Sequence, residues 1–220
     1  MNVASEPASL RGRDLLSIAD LERDEVLRIF DLASELKREY LADRRHANPP
    51  LVGRTLAMLF QKPSLRTRVT FEAGMNQLGG HAVYLTEDTI MGARETVHDV
   101  ARNLERFVDA IVARTGPHAV VAELAAQADI PVINGLTLRE HPCQALADVF
   151  TIREHLGRLD GAVVTFVGDG NNVYHSLALL GAALGMEIRI GSRAVRSIAP
   201  MIVGMEVEHH EAPVAALALA

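Results

Sequence analysis

Residues 55–80 of the chain, TLAMLFQKPSLRTRVTFEAGMNQLGG, decide the fold. The apolar run Thr55–Phe60 predicts a short buried strand, and the polar turn that follows leads into a helix ending at Gly79 and Gly80. The same alternation continues, with strands predicted at residues 82–85, 110–113, 131–134, 163–167 and 187–190. Amphipathic helices are predicted between them at residues 97–108, 119–128, 144–156 and 173–184. Strands that alternate with helices favour an α/β fold, in which a parallel sheet is flanked by helices.

Two domains of unequal completeness are expected. Residues 1–143 contain four predicted strands, preceded by a helix over residues 21–40 that Asp20 is expected to cap. The helical stretch 144–158 follows the fourth strand and is interpreted as a link to a second α/β domain over residues 159–220. Only two strands are predicted in that second domain, and residues 192–220 show no continuing pattern. Because a two-stranded unit leaves much apolar surface uncovered, the second domain is expected to be incomplete.

The composition argues against several classes of partner. Of 220 residues, 49% are apolar and 23% are charged, which is typical of a globular protein, and the net charge is −6. This mild acidity argues against nucleic acid and membrane surfaces as partners, because both are polyanions. The sequence contains neither an apolar run long enough to span a bilayer nor a signal-peptide core. The single cysteine, Cys143, can form no internal disulfide, so a cytoplasmic location is expected.

The segment 62–68, KPSLRTR, predicts an anion-binding site. It follows a strand and begins a helix, a geometry that directs unpaired backbone N–H groups and the positive end of the helix dipole at one point. Ser64 and Thr67 add hydroxyl donors, and Arg66 adds a planar guanidinium that matches phosphate or carboxylate oxygens. A helix cap with solvated arginines is the simpler interpretation, and for Ser64 alone it would prevail.

Two further segments follow predicted strands and should lie at the same sheet edge, where ligands of open parallel sheets bind. Arg114 follows the third strand, although a surface arginine in a loop is an equally good interpretation. His141 and Gln144 follow the fourth strand at a helix start, three residues apart, so they can face one ligand. A neutral histidine there could donate a hydrogen bond to a carbonyl oxygen and polarise it for attack, although a lone histidine is more often structural. Cys143 could be a nucleophile, but no histidine–acid pair is arranged to activate it, and packing is the favoured role.

Residues 168–173, GDGNNV, imitate a dinucleotide-binding fingerprint between a strand and a helix. Val173 occupies the position where close helix–strand packing requires glycine or alanine, and no acidic residue closes a second strand about 20 residues on. NAD binding is therefore rejected. Asn171 and Asn172 instead offer neutral amide groups that suit a zwitterionic amino acid. The histidines show no metal-ligand spacing, so no metal site is predicted.

Three motifs in this order, residues 64–68 (SLRTR), 114–115 (RT) and 141–144 (HPCQ), resemble the carbamoyltransferases that use carbamoyl phosphate. A fourth, residues 167–173 (VGDGNNV), resembles the ornithine branch of that family rather than the aspartate branch. Each motif is moderately specific by itself, and the four in the family's order make the resemblance strong.

The resemblance implies transfer of a carbamoyl group from carbamoyl phosphate to the δ-amine of L-ornithine, giving citrulline and phosphate, as in arginine biosynthesis or the urea cycle. It implies that residues 1–143 bind carbamoyl phosphate and that residues 159–220 form part of an ornithine-binding domain, in which Asn172 binds ornithine. The residues it implies in carbamoyl-phosphate binding are Ser64, Leu65, Arg66, Thr67, Arg114, His141 and Gln144, and those in catalysis are Arg66, Arg114 and His141. Catalysis would rest on positioning and electrostatics, with neither a metal nor a cofactor. A homo-oligomer, a trimer or a multiple of it, is also implied.

The sequence departs from the family's pattern in two places. Ile90 stands where many relatives carry a polar residue, so a contact from a neighbouring subunit is expected to be missing or replaced. The family's later acceptor-binding motifs do not follow residue 191, so the C-terminus is expected to be truncated or altered. The alternatives are therefore a relative that uses another amine acceptor, such as putrescine or an acylated ornithine, and an anion-binding fragment without turnover. A dinucleotide-dependent oxidoreductase is a more distant alternative.

Overall fold

The computed structural model describes residues 10–86, 95–191 and 209–210. Its strands are β1 (Thr55–Phe60), β2 (His81–Thr86), β3 (Ala110–Arg114), β4 (Val132–Leu136), β5 (Val163–Val167), β6 (Glu187–Gly191) and β7 (His209–His210). Its helices are α1 (Arg23–Asp43), α2 (Leu65–Gln77), α3 (Val97–Leu104), α4 (His118–Gln127), α5 (Pro142–Leu156) and α6 (Asn172–Leu184), and a 3₁₀ helix covers Ile18–Asp20. All the helices and strands predicted from the apolar pattern are present.

The first four strands form one parallel sheet in the order β2-β1-β3-β4. Side chains of β1 alternate between its faces, so that Ala57 and Leu59 pack against α3 and α4 while Met58 and Phe60 pack against α2. Strands buried on both faces carry continuous apolar runs, which is why the sequence pattern locates them well. The predicted α/β class, a parallel sheet flanked by helices, is confirmed.

The outer edge of β4 is covered by the N-terminal segment. The Leu15 backbone N donates to Val132 O at 2.9 Å, and the Asn134 backbone N donates to Leu15 O at 2.8 Å. Asp14 adds a carboxylate contact, since its Oδ1 accepts from the Val132 backbone N at 2.7 Å. A single extended residue shows no periodicity, so the sequence does not predict this pairing, which brings the 3₁₀ helix next to the loop that follows β4.

The remaining strands form a second parallel sheet in the order β5-β6-β7. Strand β7 lies beyond the last strand predicted from the sequence, and His209–His210 pairs with Ile190 and Gly191 of β6. A strand of two residues is too short to produce an apolar pattern. The core of this second unit is shared by α1, α5 and α6, whose buried aromatic side chains Phe30 and Tyr174 belong to one apolar cluster.

The start of α1 also differs from the prediction. Helix α1 begins at Arg23 with Glu22 at its N-cap, so Asp20 does not cap it. Asp20 instead ends the 3₁₀ helix, where its Oδ2 accepts from the Ser17 backbone N at 2.8 Å. Short polar side chains can cap a 3₁₀ turn as well as an α-helix, and the Asp20 side chain caps the 3₁₀ turn, which is nearer in the sequence.

Other boundaries differ by a few residues. The helix predicted to reach residue 108 ends at Leu104, and Arg114 is the last residue of β3 because it pairs with β1 and β4. Helix α5 contacts both β4 and α6, and its interpretation as a link between two domains stays a prediction. Ile90 lies outside the described residues. None of the described helices is long and apolar enough to cross a membrane.

Candidate functional site

Ser64 and Thr67 form the first part of the site, at the N-terminus of α2. Ser64 is the N-cap, and its Oγ accepts from the Thr67 backbone N at 3.4 Å and donates to Thr67 Oγ1 at 3.0 Å. The two hydroxyls therefore lie together where the positive end of the helix dipole emerges. This is the geometry predicted for an anion, and it is also a helix cap, so the second part of the site must distinguish the two interpretations.

Arg114 reaches the same point from the neighbouring strand. The parallel register places Arg114 opposite Phe60, and the Gln61 backbone N donates to Arg114 O at 2.9 Å. Arg114 Nη1 consequently lies 3.5 Å from Thr67 Oγ1. Its Nε is buried and has no hydrogen-bond partner within the described part of the chain. A surface arginine in a loop is thereby ruled out, because this guanidinium is directed at the N-terminus of α2.

The electrostatics of this cluster favour an anion. Burial, and then repulsion from Arg66, lowers the pKa of Arg114 below its ordinary value. The guanidinium nevertheless remains protonated near neutral pH, as arginine does in proteins. Two neighbouring cations, one of them partly buried, raise each other's free energy until an anion binds between them. The proximity of Arg66 and Arg114 is therefore better explained by a phosphate site than by a helix cap.

His141 lies beside Arg114, at the N-cap of α5. Burial, and then the Arg114 cation, lowers the pKa of His141 from 6.5 to about 4, so the ring is neutral at physiological pH. Its Nδ1 is buried without a hydrogen-bond partner among the described residues. A neutral imidazole carries one N–H donor and one acceptor. The ring can therefore donate a hydrogen bond to a carbonyl oxygen, and its role in binding a ligand stays a prediction.

Leu65 and Gln144 are less directly placed. Leu65 is 80% exposed, so it can contribute its backbone amide rather than its side chain to an anion. The Gln144 side chain is exposed, and its Nε2 donates to Asp148 Oδ1 at 2.9 Å, one turn along α5. This hydrogen bond directs the Gln144 side chain along α5, its own helix. The predicted residues that the structure brings together are Ser64, Arg66, Thr67, Arg114 and His141.

The two asparagines before α6 have different roles. Asn171 is the N-cap of α6, and its Oδ1 accepts from the backbone N of Val173 at 3.0 Å and of Tyr174 at 3.2 Å. Asn172 Nδ2 donates to Thr137 O at 2.6 Å, in the loop that follows β4. The oxygen of Asn171 is therefore used by the helix, whereas Asn172 lies against the loop that leads to His141.

Cys143 is partly buried on the first turn of α5. Burial raises the pKa of its thiol from 9.0 to about 11, and its Sγ lies 3.6 Å from Asn134 O. The nucleophile in cysteine chemistry is the thiolate, and a thiol with this pKa is protonated near neutral pH. These observations favour the packing role over the nucleophilic one.

Sequence reasoning missed Glu140, which is 1% exposed and directly precedes His141. Its carboxylate accepts from Ser17 Oγ at 2.6 Å, from the Ile18 backbone N at 3.1 Å and from Ser176 Oγ at 3.1 Å. These donors come from the N-terminal segment and from α6, far along the chain, so no local motif announces them. The one available signal was an acidic residue next to a motif histidine.

In the described part of the chain, no group of three or more His, Cys, Asp or Glu side chains is placed to hold a metal ion. The site itself offers two hydroxyls, two guanidiniums and one neutral imidazole. Such groups bind a phosphate, polarise a carbonyl and stabilise a leaving anion.

Comparison with known proteins shows which family the chain resembles. The family model for the carbamoyl-P binding domain of aspartate/ornithine carbamoyltransferases matches residues 13–154, which is more than half of the chain. An ornithine carbamoyltransferase of Carboxydothermus hydrogenoformans is 51% identical over 187 residues, covering 84% of this chain and 59% of the relative. The chain thus spans less than two thirds of the length of that relative.

Solved structures give the same result. Ornithine carbamoyltransferase from Pyrococcus furiosus superposes with a TM-score of 0.87 at 43% identity, covering 96% of this chain and 70% of the other. An aspartate transcarbamoylase from Trypanosoma cruzi, solved in complex with carbamoyl phosphate and aspartate, superposes with a TM-score of 0.75 at 30% identity, over 84% of this chain and 58% of that one. The resemblance seen in the motifs is confirmed, and the chain belongs to the aspartate/ornithine carbamoyltransferase family.

Proposed function

We propose that this chain binds carbamoyl phosphate between the N-terminus of α2, Arg114 and His141, and transfers its carbamoyl group to the δ-amine of L-ornithine. The products are L-citrulline and phosphate. The proposal covers the reaction of the family members named above, whereas the chain spans only part of their length.

One observation carries the proposal: a partly buried guanidinium lies between two hydroxyls and a neutral imidazole. Arg114 Nη1 lies 3.5 Å from Thr67 Oγ1, and the Arg114 cation lowers the pKa of His141. A ligand that satisfies all three groups needs a phosphate at one end and a carbonyl oxygen beside it. Carbamoyl phosphate has both groups, because one bridging oxygen joins its phosphorus to its carbonyl carbon.

The mechanism follows from these positions. The phosphate would be held by the backbone amides of α2, the hydroxyls of Ser64 and Thr67, and the Arg66 guanidinium. Arg114 would bridge the phosphate and the carbamoyl oxygen, to which His141 would donate a hydrogen bond. The neutral δ-amine attacks the carbonyl carbon, a C–N bond forms, the C–O bond to phosphate breaks, and the amine loses a proton. Both guanidiniums stabilise the negative charge that develops on the carbonyl oxygen and the leaving phosphate.

The assignment of the acceptor depends on Asn172. Asn172 lies next to the loop that leads to His141, so its amide oxygen is available near the carbamoyl group. We propose that residues 1–143 bind carbamoyl phosphate and that residues 159–220, linked through 144–158, belong to the acceptor-binding domain. Putrescine or an acylated ornithine would use the same phosphate and carbamoyl contacts, so these acceptors are the second candidates.

We also propose a homo-oligomer, most simply a trimer. Helix α2 has no buried residue, and its apolar side chains Leu65 and Val69 are 80% and 52% exposed. Apolar side chains on a helix that carries the anion site support burial by a neighbouring subunit. A cytoplasmic location and a role in arginine biosynthesis remain predictions of the same kind.

A product assay tests the reaction and the acceptor together. The purified chain is incubated with carbamoyl phosphate and, in separate reactions, with ornithine, putrescine or N-acetylornithine, and the products are identified by mass spectrometry. Citrulline as the favoured product supports the proposal, and a preferred product from another amine replaces ornithine as the acceptor. Binding without any product favours the interpretation as an anion-binding fragment without turnover.

A pair of arginine variants tests the site. Arg66→Ala should weaken carbamoyl-phosphate binding about 30-fold, because it removes a charge-assisted contact to phosphate. Arg68→Ala is the matched control, since Arg68 Nε already donates to Glu72 at 3.0 Å and the guanidinium lies 4.0 Å from the centre of the Tyr84 ring. Calorimetry that finds equal losses in both variants would remove the specific role of Arg66.

A further inference from the structure

The loop that carries His141 is fixed by a buried carboxylate immediately before it. Glu140 is 1% exposed, and its side chain accepts three hydrogen bonds from donors that lie 36, 122 and 123 residues away in the sequence. In the described part of the chain, no cation lies within ion-pair distance of this carboxylate. It is therefore held by neutral donors alone.

One of those donors connects Glu140 to the backbone of His141. Ser176 Oγ donates to Glu140 Oε2 at 3.1 Å and accepts from the His141 backbone N at 2.9 Å. A hydroxyl has one proton to donate, so the carboxylate determines its direction and leaves its lone pairs for the His141 amide. Ser176 is fully buried, so water does not replace either contact.

The other contacts of Glu140 complete the anchor. Its backbone N donates to Thr137 Oγ1 at 3.2 Å, and its backbone O accepts from the Thr137 backbone N at 2.9 Å, so the turn before His141 is closed on itself. The Ser17 hydroxyl and the Ile18 amide tie the same carboxylate to the N-terminal segment. The loop after β4 is thus joined to the N-terminal segment on one side and to α6 on the other.

A buried carboxylate is an expensive way to stabilise a fold, because an apolar side chain of similar size could fill the same space without desolvating a charge. Its hydrogen bonds do, however, define one geometry. We propose that Glu140 is a positioning residue for the transfer reaction: acting through Ser176, it holds the His141 ring where it donates to the carbamoyl oxygen. The inference rests on the proposed function for its ligand and on the hydrogen-bond network for its geometry.

The network distinguishes two substitutions of similar size. Glu140→Met keeps the volume but removes every acceptor, so it releases Ser176 and the His141 backbone. Glu140→Gln keeps one oxygen for the Ile18 amide and the Ser176 hydroxyl, while its amide nitrogen can donate to Ser17 Oγ. Ser176→Ala removes the connecting hydroxyl alone and leaves Glu140 in place. If Glu140 only fills space, Glu140→Met and Glu140→Gln should have comparable effects on carbamoyl-phosphate binding. If Glu140 positions His141, binding should be weakened in Glu140→Met and Ser176→Ala and retained in Glu140→Gln.

The first measurement compares two anions by calorimetry. Glu140→Met and Ser176→Ala should weaken carbamoyl-phosphate binding about tenfold, because the hydrogen bond from His141 to the carbamoyl oxygen is lost. Inorganic phosphate, which is held by α2 and Arg114, should bind these variants within about twofold of the wild type. Glu140→Gln should bind both anions as the wild type does. Equal losses for the two anions in a folded variant would overturn the proposal.

The second measurement needs no ligand. NMR titration of the His141 ring should give a pKa of about 4 in the wild type and in Glu140→Gln. In Glu140→Met and Ser176→Ala the ring should become more exposed, and its pKa should rise toward 6.5. An unchanged titration in folded Ser176→Ala and Glu140→Met overturns the positioning role. If the wild type binds neither anion, the proposed function fails, yet the ring titration still decides whether Glu140 positions His141.

Discussion

His141 should make the stability of this protein depend on pH. Burial and the Arg114 cation lower the pKa of His141 to about 4, whereas the unfolded chain protonates it near 6.5. Between these values the unfolded chain holds a proton that the folded chain does not. The contribution of the neutral His141 ring to the free energy of unfolding is therefore fully present above pH 6.5. It is lost as the pH falls, until the folded protein also binds the proton near pH 4.

The size of this loss follows from the two pKa values. Each pH unit of unequal protonation changes the free energy of unfolding by about 1.4 kcal/mol, so the interval from 6.5 to about 4 corresponds to about 3 kcal/mol. The His141→Asn variant cannot titrate at this position and should lose that much less over the same range. Burial also lowers the pKa of His118, but His118 is present in both proteins and cancels in the comparison.

Urea unfolding at pH 7.5, 6, 5 and 4 measures the difference directly. The His155→Asn variant is the matched control, because His155 is exposed on the last turn of α5. The wild type should lose about 3 kcal/mol relative to His141→Asn on acidification, while the control should follow the wild type. Parallel pH profiles for wild type and His141→Asn would refute the burial and charge argument for this ring.

Three other outcomes follow from the structure. Arg114→Met should weaken carbamoyl-phosphate binding at least about tenfold without lowering the free energy of unfolding, because it removes a partly buried cation that Arg66 repels; a less stable variant with full affinity would contradict this. Cys143 should react with a thiol reagent at pH 8 only after unfolding, since its pKa is about 11, and prompt reaction of the native protein would show an accessible thiolate. Gly181→Ala should lower the free energy of unfolding by about 1–3 kcal/mol in urea, because a Cβ there would overlap the Ile188 side chain. The helical control Gly74→Ala meets nothing within 4 Å and should raise it by roughly 1 kcal/mol, so equal effects of the two glycines would contradict the packing argument.

Features that depend on neighbouring residues were predicted well from the sequence. The strand Thr55–Phe60 is buried on both faces, so the five side chains that follow Thr55 are all apolar and its bounds are recovered residue for residue. The N-cap at Ser64 is a contact between residues three positions apart, so the sequence pattern is sufficient to predict it. Parallel topology then places Arg114 and His141 at the same edge without any further information.

Features that depend on distant residues could not be predicted in this way. The pairing of Leu15 with β4 and the network around Glu140 join positions more than a hundred residues apart, and neither produces a period. The error at Asp20 has a local cause. Asp20 could cap either the 3₁₀ turn or α1, and the sequence alone does not show which of the two it caps. The engagement of Gln144 with Asp148 is likewise a choice between partners that only the folded chain makes.

The most direct test of this account is a calorimetric titration of the purified 220-residue chain with carbamoyl phosphate. The account predicts saturable binding at one site per chain, for which inorganic phosphate competes, because phosphate occupies the N-terminus of α2 and Arg114 in both cases. The absence of saturable binding by the folded chain, or binding that phosphate does not displace, would contradict the assignment of this edge of the sheet as the carbamoyl-phosphate site.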